Sequence, residues 1–273
     1  MNYRSFSDMN DAIVRNLAKF PHDVDLVVGI PRSGMMPANL LAMYLNKPYT
    51  SIEQVCNGVI YANGKRKIDD NWEIRKVLVV DDSVGRGNQM KEAKEALAGF
   101  DFCKVYAAIY VSPENADVVD VYCEVVESPR LFQWNIFNCK MVEKSMYDID
   151  GVLCADPEID DDGEQYIEAI SNAKPLFVPK YTIDTIITCR LEKYRDITAK
   201  WLQEHGITYK RLIMLAMETK EERQKWGKHG DWKAYYYSHS RTKLFVESGL
   251  SQAQKIHQIT GKPVFCTKTM SFV

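Results

Sequence analysis

The sequence predicts an α/β fold with two domains, each built on a mainly parallel sheet flanked by helices. Short apolar runs of strand length alternate with segments of helical period along the whole chain, the pattern that parallel strands and crossover helices produce. The alternation ends near residue 140 and then begins again, so we expect one domain over residues 1–140 and another over 141–273. With 273 residues, 46% of them hydrophobic, the chain is long enough to build a core in each.

The first domain is predicted from apolar runs and the helices that follow them. The runs that we assign to strands are residues 25–30, 76–80, 104–111 and 118–126. Residues 37–45 are predicted to be a helix because Pro37 suits a first helical turn, where its missing N–H costs no hydrogen bond. Residues 88–98 form the next predicted helix, and Gly99 is expected to end it.

The second domain follows the same alternation. Its predicted strands are residues 144–149, 185–188, 212–215, 244–247 and 263–266. A helix is expected over residues 192–204, where apolar side chains recur at helical spacing and Gly206 stands just past the end. The acidic stretch 156–164 is expected to be a solvated loop.

Composition and charge exclude several classes of function. The formal net charge is −2, from 35 basic and 37 acidic residues, so the chain has no overall positive field that would recruit nucleic acid or anionic lipid. The N-terminus lacks the basic and apolar segments of a secretory signal, and no stretch reaches the roughly 18 apolar residues of a membrane span. We therefore expect a cytoplasmic protein without a transmembrane segment. The seven cysteines are odd in number and never form CxxC, which argues against a disulfide framework or a zinc site.

The first motif with chemical content is VLVVDDSVGRGNQM, residues 77–90. It places Asp81 and Asp82 at the end of a predicted strand, before a loop with two glycines that opens a helix. Glycines and the amides of a helix N-terminus are suited to wrapping a phosphate. Two carboxylates would repel that phosphate, unless they face vicinal hydroxyls or a magnesium ion of the same ligand. A phosphorylated ribose satisfies both conditions, whereas an isolated Asp-Asp pair would more simply cap the next helix.

This stretch resembles the 5-phosphoribosyl 1-diphosphate (PRPP) motif of type I phosphoribosyltransferases. The resemblance implies that Asp81 and Asp82 hold the 2- and 3-hydroxyls of the ribose, and that the following loop holds the 5-phosphate. The implied loop residues are Ser83, Val84, Gly85, Arg86, Gly87, Asn88 and Gln89. A second stretch, VVGIPRSGMMPA at residues 27–38, resembles the diphosphate loop of the same family. This second resemblance implies that three residues face the leaving diphosphate, namely Arg32, Ser33 and Gly34.

The chain departs from that family at the phosphate loop. Family members usually carry threonine or serine around the positions that here hold Gly85, Asn88 and Gln89. Fewer hydroxyls would then reach the 5-phosphate, and Arg86 offers a charged contact in their place. Residues 51–76, which include the basic cluster 65–67, stand where the family has a mobile loop over the diphosphate.

An aromatic set lies between the two predicted domains. It consists of Phe132, Trp134 and Phe137. We expect these rings to pack at the domain junction rather than to form a stacking platform. Arg130, just before them, is a candidate for contact with an active site.

The second motif is SMYDIDGVL, residues 145–153, in which Asp148 and Asp150 end a predicted strand. In the turn after a strand, the second carboxylate can swing back toward a substrate held by the first, which suits a nucleophile and a separate acid. The stretch resembles motif I of haloacid dehalogenase-like phosphatases. The resemblance implies that Asp148 attacks phosphorus and that Asp150 protonates the leaving alkoxide. It also implies a cofactor, Mg2+, bound by the Asp148 side chain and by the backbone at Asp150.

Later residues extend this second resemblance in the expected order. Thr188 stands where motif II ends a strand, with Arg190 two residues on as a substrate contact, and Lys233 has the spacing of the motif III lysine. Glu247 stands where a motif IV carboxylate would hold Mg2+, but Ser248 follows where the family usually has a second carboxylate nearby. The implied catalytic residues are Asp148, Asp150, Thr188 and Lys233. The implied metal ligands are Asp148, Asp150 and Glu247.

Together the resemblances imply a two-step ribofuranosyl transfer. The first domain would attach 5-phosphoribose from PRPP to an acceptor hydroxyl, and the second would remove the 5-phosphate. A nucleotide salvage enzyme gains nothing from that removal, which favours a glycan acceptor, lipid-linked or polysaccharide. The chain also resembles dual-domain phosphoribosyltransferase-phosphatase proteins of bacterial surface polysaccharide assembly.

Two alternatives stay open from the sequence. One is a base or nucleotide phosphoribosyltransferase with a fused phosphatase, and the other is a PRPP-sensing regulator whose phosphatase has decayed. The oligomeric state is open as well, a homo-oligomer included.

Overall fold

The computed structural model describes three stretches of the chain, residues 1–59, 72–159 and 162–273. The chain forms two compact units, Met1–Trp134 and Asn135–Val273. Each is built on a mainly parallel sheet flanked by helices, which confirms the predicted fold class. The division falls between residues 134 and 135, whereas the sequence placed it between 140 and 141.

The first unit contains, within the described residues, a five-stranded parallel sheet and a short two-stranded one. Its strands are β1 (Asn2–Arg4), β2 (Leu26–Gly29), β3 (Tyr49–Ser51), β4 (Lys76–Val84), β5 (Cys103–Val111), β6 (Val121–Val125) and β7 (Arg130–Phe132). Its α-helices are α1 (Phe6–Arg15), α2 (Met35–Leu45), α3 (Ile52–Cys56) and α4 (Asn88–Ala96). Short 3-10 helices cover Leu17–Lys19, Pro113–Val118 and Gln133–Asn135. The larger sheet has the order β3-β2-β4-β5-β6, and β1 pairs with β7.

The strands β2 and β4 are neighbours inside the larger sheet and bury side chains on both of its faces. Val27 and Val80 belong to the apolar cluster that includes residues of α1 and α2, whereas Val28 and Val79 belong to a second cluster with residues of α4. A strand that is covered on both faces has a continuously apolar sequence, and for this reason both strands could be predicted from the sequence. The polar residues that follow them therefore emerge together at one edge of the sheet.

The first unit differs from the sequence prediction in the extent of its elements. The predicted strand 76–80 continues to Val84, because β5 pairs with β4 as far as Val84, opposite Val111. Both aspartates thus belong to β4 rather than to the turn after it. The predicted strand 118–126 is shortened to β6 because a 3-10 helix, Pro113–Val118, precedes it.

The second unit contains, within the described residues, a six-stranded sheet. Its strands are β8 (Ser145–Tyr147), β9 (Ile183–Leu191), β10 (Tyr209–Leu215), β11 (Leu244–Glu247), β12 (Val264–Cys266) and β13 (Ser271–Phe272). Its α-helices are α5 (Glu164–Ser171), α6 (Arg195–Glu204), α7 (Lys220–Trp226), α8 (His229–Ser238) and α9 (Leu250–Thr260), and 3-10 helices cover Lys140–Lys144 and Glu192–Tyr194. The order is β10-β9-β8-β11-β12-β13, parallel except for β13.

The predicted elements of the second unit are present with shifted ends. The strand predicted over 144–149 is only β8, so Asp148 comes directly after it. The strand predicted over 185–188 extends to Leu191, so Thr188 lies inside β9 rather than at its end. Gly206, expected just past the helix α6, has a φ of +67°. No helix of the described stretches combines the length and the apolar character that crossing a membrane requires.

Candidate functional site

The two loops of the first unit that resemble PRPP-binding segments lie side by side. The strands β2 and β4 pair in parallel with Gly29 opposite Val80. Gly34 packs so closely against the end of β4 that a Cβ atom there would lie 2.8 Å from the carbonyl oxygen of Val80 and 3.0 Å from the Cα of Asp81. The structure therefore brings residues 31–34 next to the acidic pair.

The phosphate loop encloses a small cavity of about 180 Å³ at the carboxyl end of β4. The cavity is lined by Asp81, Ser83, Val84, Gly85, Arg86, Gly87, Asn88, Gln89 and Met90. Gly87 has a φ of +77°, in the left-handed region that favours glycine, and it directly precedes α4. The cavity thus lies at a helix N-terminus, where unpaired amides and the helix dipole favour an anion.

Side chains from outside the motif hold the carbonyl groups of this loop. The carbonyl oxygen of Gly85 accepts hydrogen bonds from Ser112 Oγ at 3.1 Å and from Asn115 Nδ2 at 2.7 Å. The carbonyl oxygen of Val84 accepts one from Arg130 Nη1 at 3.1 Å. In a trans peptide the N–H points opposite to the C=O, so these contacts direct the next amides to the other side of the loop. Holding the carbonyls in this way preorganises the loop for an anion.

Asp81 and Asp82 are both almost fully buried, with 3% of each residue exposed. Asp81 Oδ1 accepts a hydrogen bond from the backbone N–H of Asp82 at 2.9 Å, and Asp82 Oδ2 accepts one from Trp134 Nε1 at 2.6 Å. Burial, together with the neighbouring charge of Asp82, raises the pKa of Asp81 to about 8. Asp81 is therefore costly for the fold, and strongly perturbed acids of this kind are common at functional sites.

The aromatic set is divided between the two units rather than packed as one cluster. Phe132 and Trp134 stack with ring centroids 5.0 Å apart in the first unit. Phe137 stacks on Phe177 at 3.9 Å in the second unit. The basic cluster 65–67, which the sequence proposed as a cover for the diphosphate, lies outside the described residues.

The second unit gathers a buried acidic site around one lysine. Asp148 follows β8, Glu247 ends the neighbouring strand β11, and the backbone N–H of Asp148 donates to the carbonyl oxygen of Val246 at 3.0 Å. Lys233, on α8, donates from Nζ to Asp148 Oδ2 at 2.6 Å and to Glu247 Oε2 at 2.7 Å. Lys233 and Glu247 are each 1% exposed. Three residues from distant parts of the sequence thus form one hydrogen-bonded group.

Charge balance inside this group follows from its burial. Burial alone would lower the pKa of Lys233, but the carboxylates of Asp148 and Glu247 outweigh it and raise that pKa, so the ammonium stays charged. Burial also raises the pKa of Asp148 to about 8, while the charge of Lys233 opposes the shift and Glu247 adds to it. The charge of Lys233 thus opposes the effect of burial and favours the ionised form of Asp148, which a nucleophile needs.

Asp150 is held by a different cation. Arg190, whose side chain is fully buried, donates from Nε to both carboxylate oxygens of Asp150 at 3.2 and 3.1 Å and from Nη2 to Oδ1 at 2.5 Å. Thr188 Oγ1 accepts from the backbone N–H of Arg190 at 3.2 Å, so the predicted motif II threonine supports the strand beside this pair. The sequence assigned Arg190 to the substrate, whereas here its guanidinium contacts the predicted acid. Planar pairing of this kind fixes the carboxylate in one orientation.

The predicted metal ligands come together only in part. In the described stretches, no group of three or more His, Cys, Asp or Glu side chains is placed to hold a metal ion. Asp148 and Glu247 converge on Lys233, but the Asp150 carboxylate turns to Arg190. A metal at this site would therefore rest on two carboxylates and on backbone oxygen.

Sequence reasoning missed several residues that shape these sites. They are Trp134, Ser112 and Asn115 in the first unit and the Ser248 hydroxyl in the second. Ser248 donates from Oγ to the carbonyl oxygen of Asp150 at 2.9 Å. Ser112 and Asn115 belong to neither motif, and Trp134 stands 52 positions from the aspartate that it contacts. Arg130 differs from them, since the sequence already named it as a candidate for contact with an active site.

Known structures resemble about half of the chain. A purine phosphoribosyltransferase from Pyrococcus horikoshii Ot3 is 22% identical, with a TM-score of 0.36, and the match covers 49% of this chain and 92% of that one. A xanthine-guanine-hypoxanthine phosphoribosyltransferase from Helicobacter pylori is 16% identical, with a TM-score of 0.36, over 50% of this chain and 92% of that one.

Sequence comparisons give one curated relative and one family model. Transcriptional regulator GfcR 2 of Methanosarcina acetivorans is 23% identical over 112 residues, and this chain spans about half of that relative's length, 55%, while the match covers 40% of this chain. The family model of the phosphoribosyl transferase domain matches residues 4–144. That match covers more than half of the 273 residues and contains both loops described above. The chain therefore belongs to the phosphoribosyl transferase domain family.

Proposed function

We propose that this protein carries out ribofuranosyl transfer in two steps. The first unit transfers 5-phosphoribose from PRPP to an acceptor hydroxyl with release of diphosphate, and the second unit removes the 5-phosphate. The observation that carries the proposal is the buried contact of Lys233 with Asp148 and Glu247 in a chain whose other half belongs to the phosphoribosyl transferase domain family. A phosphatase-like site joined to a phosphoribosyl transfer site suggests that the 5-phosphate serves to bind the donor and is removed after the transfer.

The first step is supported by the geometry of the loops at the ends of β2 and β4. The cavity of residues 83–90 suits the 5-phosphate, Asp81 and Asp82 suit the ribose hydroxyls, and residues 31–34 suit the diphosphate. When diphosphate leaves C1, the acceptor oxygen attacks the opposite face, so α-PRPP yields a β-linked product. Fixed amides and charges around a developing charge supply most of the stabilisation in such transfers.

The second step is supported by the separation of two carboxylates into two environments. Asp148, beside Lys233, is the nucleophile that attacks phosphorus and forms an aspartyl-phosphate. Asp150 lies two residues on and is oriented by Arg190, so its proton transfer to the leaving alkoxide requires that pairing to loosen as substrate binds. Water then releases phosphate from Asp148. Lys233 neutralises charge on both the nucleophile and the phosphoryl group.

Mg2+ fits the oxygen atoms that this site gathers. Asp148 and Glu247 lie 2.6 and 2.7 Å from the same ammonium nitrogen. Ser248 links Glu247 to the backbone at residue 150, since its N–H donates to Glu247 Oε1 at 3.0 Å and its Oγ to the Asp150 carbonyl at 2.9 Å. Carboxylate and carbonyl oxygens are the ligands of hard cations, so the carboxylates of Asp148 and Glu247 and the backbone carbonyl of Asp150 would hold the ion. When bound, Mg2+ would supply further neutralisation of the phosphoryl charge.

The acceptor is proposed from the logic of the two steps. Dephosphorylation of a nucleotide would undo a salvage reaction, whereas a glycan receives plain ribofuranose only if the phosphate is removed. We therefore propose a glycan hydroxyl, lipid-linked or on a polysaccharide, as the acceptor.

Phosphorus NMR of the protein with PRPP, Mg2+ and candidate glycans tests both steps. The wild type should release diphosphate only with acceptor, and Asp81→Asn should lose that release. Asp148→Asn should accumulate a phosphorylated product, because removal of a nucleophile lowers phosphate release by at least about 1,000-fold. If Asp148→Asn releases phosphate at the wild-type rate, the two-step scheme is wrong.

A second candidate function is PRPP sensing without turnover. The curated relative is named a transcriptional regulator, and the phosphate loop here carries Gly85, Asn88 and Gln89 rather than hydroxyl side chains. This candidate predicts that the wild type binds PRPP but releases no diphosphate with any acceptor. The same NMR experiment separates the two candidates.

A further inference from the structure

The segment that closes the first unit returns to the proposed PRPP site and contacts it at two points. The strand β7 pairs with β1, with Leu131 opposite Tyr3, and this pairing fixes the path of the segment. Arg130, at its start, donates to the carbonyl oxygen of Val84 at 3.1 Å. Trp134, just past its end, donates to Asp82. A part of the chain outside both loop motifs is thus bonded to both halves of the site.

The indole of Trp134 is fixed by the rings around it. Its centroid lies 5.0 Å from that of Phe132 at an interplanar angle of 14°, and 5.6 Å from that of Phe6. The ring of Tyr110 adds a further stacked contact at 6.3 Å. Rotation of the indole would break these contacts, so its N–H keeps one direction. That direction is toward Asp82 Oδ2, at 2.6 Å.

An indole can donate a hydrogen bond but cannot accept one. Asp82 Oδ2 is therefore the acceptor of this hydrogen bond, and the indole holds that oxygen in place. Asp81 Oδ1 instead accepts from the backbone N–H of Asp82, and burial, together with the charge of Asp82, raises the pKa of Asp81 to about 8. The two neighbouring acids thus differ: one accepts from Trp134, and the other takes up a proton near neutral pH. A vicinal diol, which offers both donors and acceptors, matches such a pair.

We propose that Trp134 is a positioning residue for the ribose end of the site: by holding Asp82 Oδ2 it turns Oδ1 toward a hydroxyl of the ribofuranose. This inference rests on the proposed function, since it deepens the assignment of the acidic pair to the ribose of PRPP. It also separates the two ends of the ligand, because the phosphate cavity of residues 83–90 has other supports in Ser112, Asn115 and Arg130.

Binding measurements on four forms of the full chain test the proposal. These are the wild type, Trp134→Phe, Asp82→Asn and the double variant, each titrated with PRPP, ribose 5-phosphate and inorganic phosphate by calorimetry. Trp134→Phe keeps an aromatic ring and loses the N–H. It should weaken PRPP and ribose 5-phosphate by about ten- to a hundredfold, the usual effect of losing a hydrogen bond to a charged group. The double variant should bind no more weakly than Asp82→Asn, because Trp134 acts through Asp82.

Inorganic phosphate and a second tryptophan serve as controls. Phosphate should bind Trp134→Phe as it binds the wild type, because the loop does not depend on the indole. Trp226→Phe, which changes a partly buried ring of the second unit, should leave all three affinities unchanged. If Trp134→Phe binds PRPP like the wild type, or loses phosphate and PRPP equally, the proposal is wrong. If the wild type binds neither PRPP nor ribose 5-phosphate, the proposed function itself fails.

A measurement without substitution of Trp134 keeps the test valid if that variant does not fold. The indole N–H of Trp134 should resonate far downfield in a proton-nitrogen spectrum of the wild type because it is bonded to a carboxylate. Asp82→Asn should move this resonance upfield, and ribose 5-phosphate should shift it in the wild type while inorganic phosphate should not. An indole resonance that Asp82→Asn leaves unchanged would contradict the contact.

Discussion

Asp81 and Asp82 are neighbours on one strand, yet the fold treats them differently. Only 3% of each residue is exposed to solvent. Asp82 accepts from Trp134, whereas the pKa of Asp81 is raised to about 8 by burial and by the charge of Asp82. A buried acid with such a pKa lowers the stability of the fold at neutral pH. The proposed contact with the ribose of PRPP would account for keeping this acid despite that cost.

The stability of the protein should therefore depend on pH through Asp81. The folded pKa of about 8 lies above the value of 3.8 for an unperturbed aspartate, so the folded state binds the proton more tightly. The associated stabilisation is complete below about pH 4 and is lost as the pH rises through 8. Asp81→Asn, which does not titrate, should raise the free energy of unfolding by about 1–2 kcal/mol at pH 8 and by less at pH 5. Thermal melting of both forms across this range is the measurement.

Asp23→Asn is the matched control for that experiment. Asp23 is exposed and pairs with Lys76 at the surface, where the hydrogen bond from Lys76 lowers its pKa. Its substitution should not stabilise the protein at pH 8. A melting difference between Asp81→Asn and wild type that stays constant from pH 5 to 8 would contradict the raised pKa.

At the scale of elements, the site depends on how closely the loop after β2 approaches β4. Gly34 lies against this strand, and a Cβ atom at that position would come within 2.5 Å of the carbonyl oxygen of Ile30 and 2.8 Å of that of Val80. Both contacts are with backbone, which cannot turn aside as a flexible side chain can. The approach of residues 31–34 to the acidic pair thus requires glycine.

Gly34→Ala should push the loop away from β4 and harm both stability and the first reaction. We expect a loss of roughly 1–3 kcal/mol in the free energy of unfolding, typical of overpacking, with at least a tenfold weaker affinity for PRPP. Denaturant unfolding and calorimetric titration measure the two effects. Gly99→Ala is the control, since a Cβ atom there would meet nothing within 4 Å. Equal effects of both substitutions would rule out the proposed close approach as the cause.

At the scale of the whole molecule, each unit has its own sheet and its own apolar clusters. Val27 and Leu78 belong to a core of the first unit, and Phe245 and Val264 to one of the second. Each candidate site is built from residues of a single unit. The chemistry of the two steps is therefore expected to be separable by substitution.

The two activities should respond independently to changes in the two sites. Asp81→Asn should leave hydrolysis of a simple phosphomonoester such as p-nitrophenyl phosphate within about twofold of the wild-type rate, while Asp148→Asn abolishes it. Changes at independent sites without shared partners usually combine additively. Steady-state rates of both variants provide the test. Loss of hydrolysis in Asp81→Asn would show that the two sites are coupled.

The sequence alone determined the α/β class and the two acid-bearing segments. A parallel strand buried on both faces is visible as a short apolar run, and the glycine-containing loop after it is a short pattern as well. It also named Arg130 as a candidate for contact with an active site, without saying which loop it would reach. It did not determine the ends of strands: β4 continues to Val84 because β5 pairs with it that far, and such pairing depends on a distant segment.

Only the tertiary structure decided which side chains meet. Trp134 contacts Asp82, Arg190 contacts Asp150, and Lys233 joins Asp148 to Glu247 across 85 and 14 positions of sequence. Hydrogen bonds of this kind depend on the packing of helices against sheets and on the order of strands, which no short pattern encodes. The sequence therefore specified the chemical groups of both candidate sites, because each group belongs to a short motif. The fold specified their partners, because those contacts join residues that are far apart in the sequence.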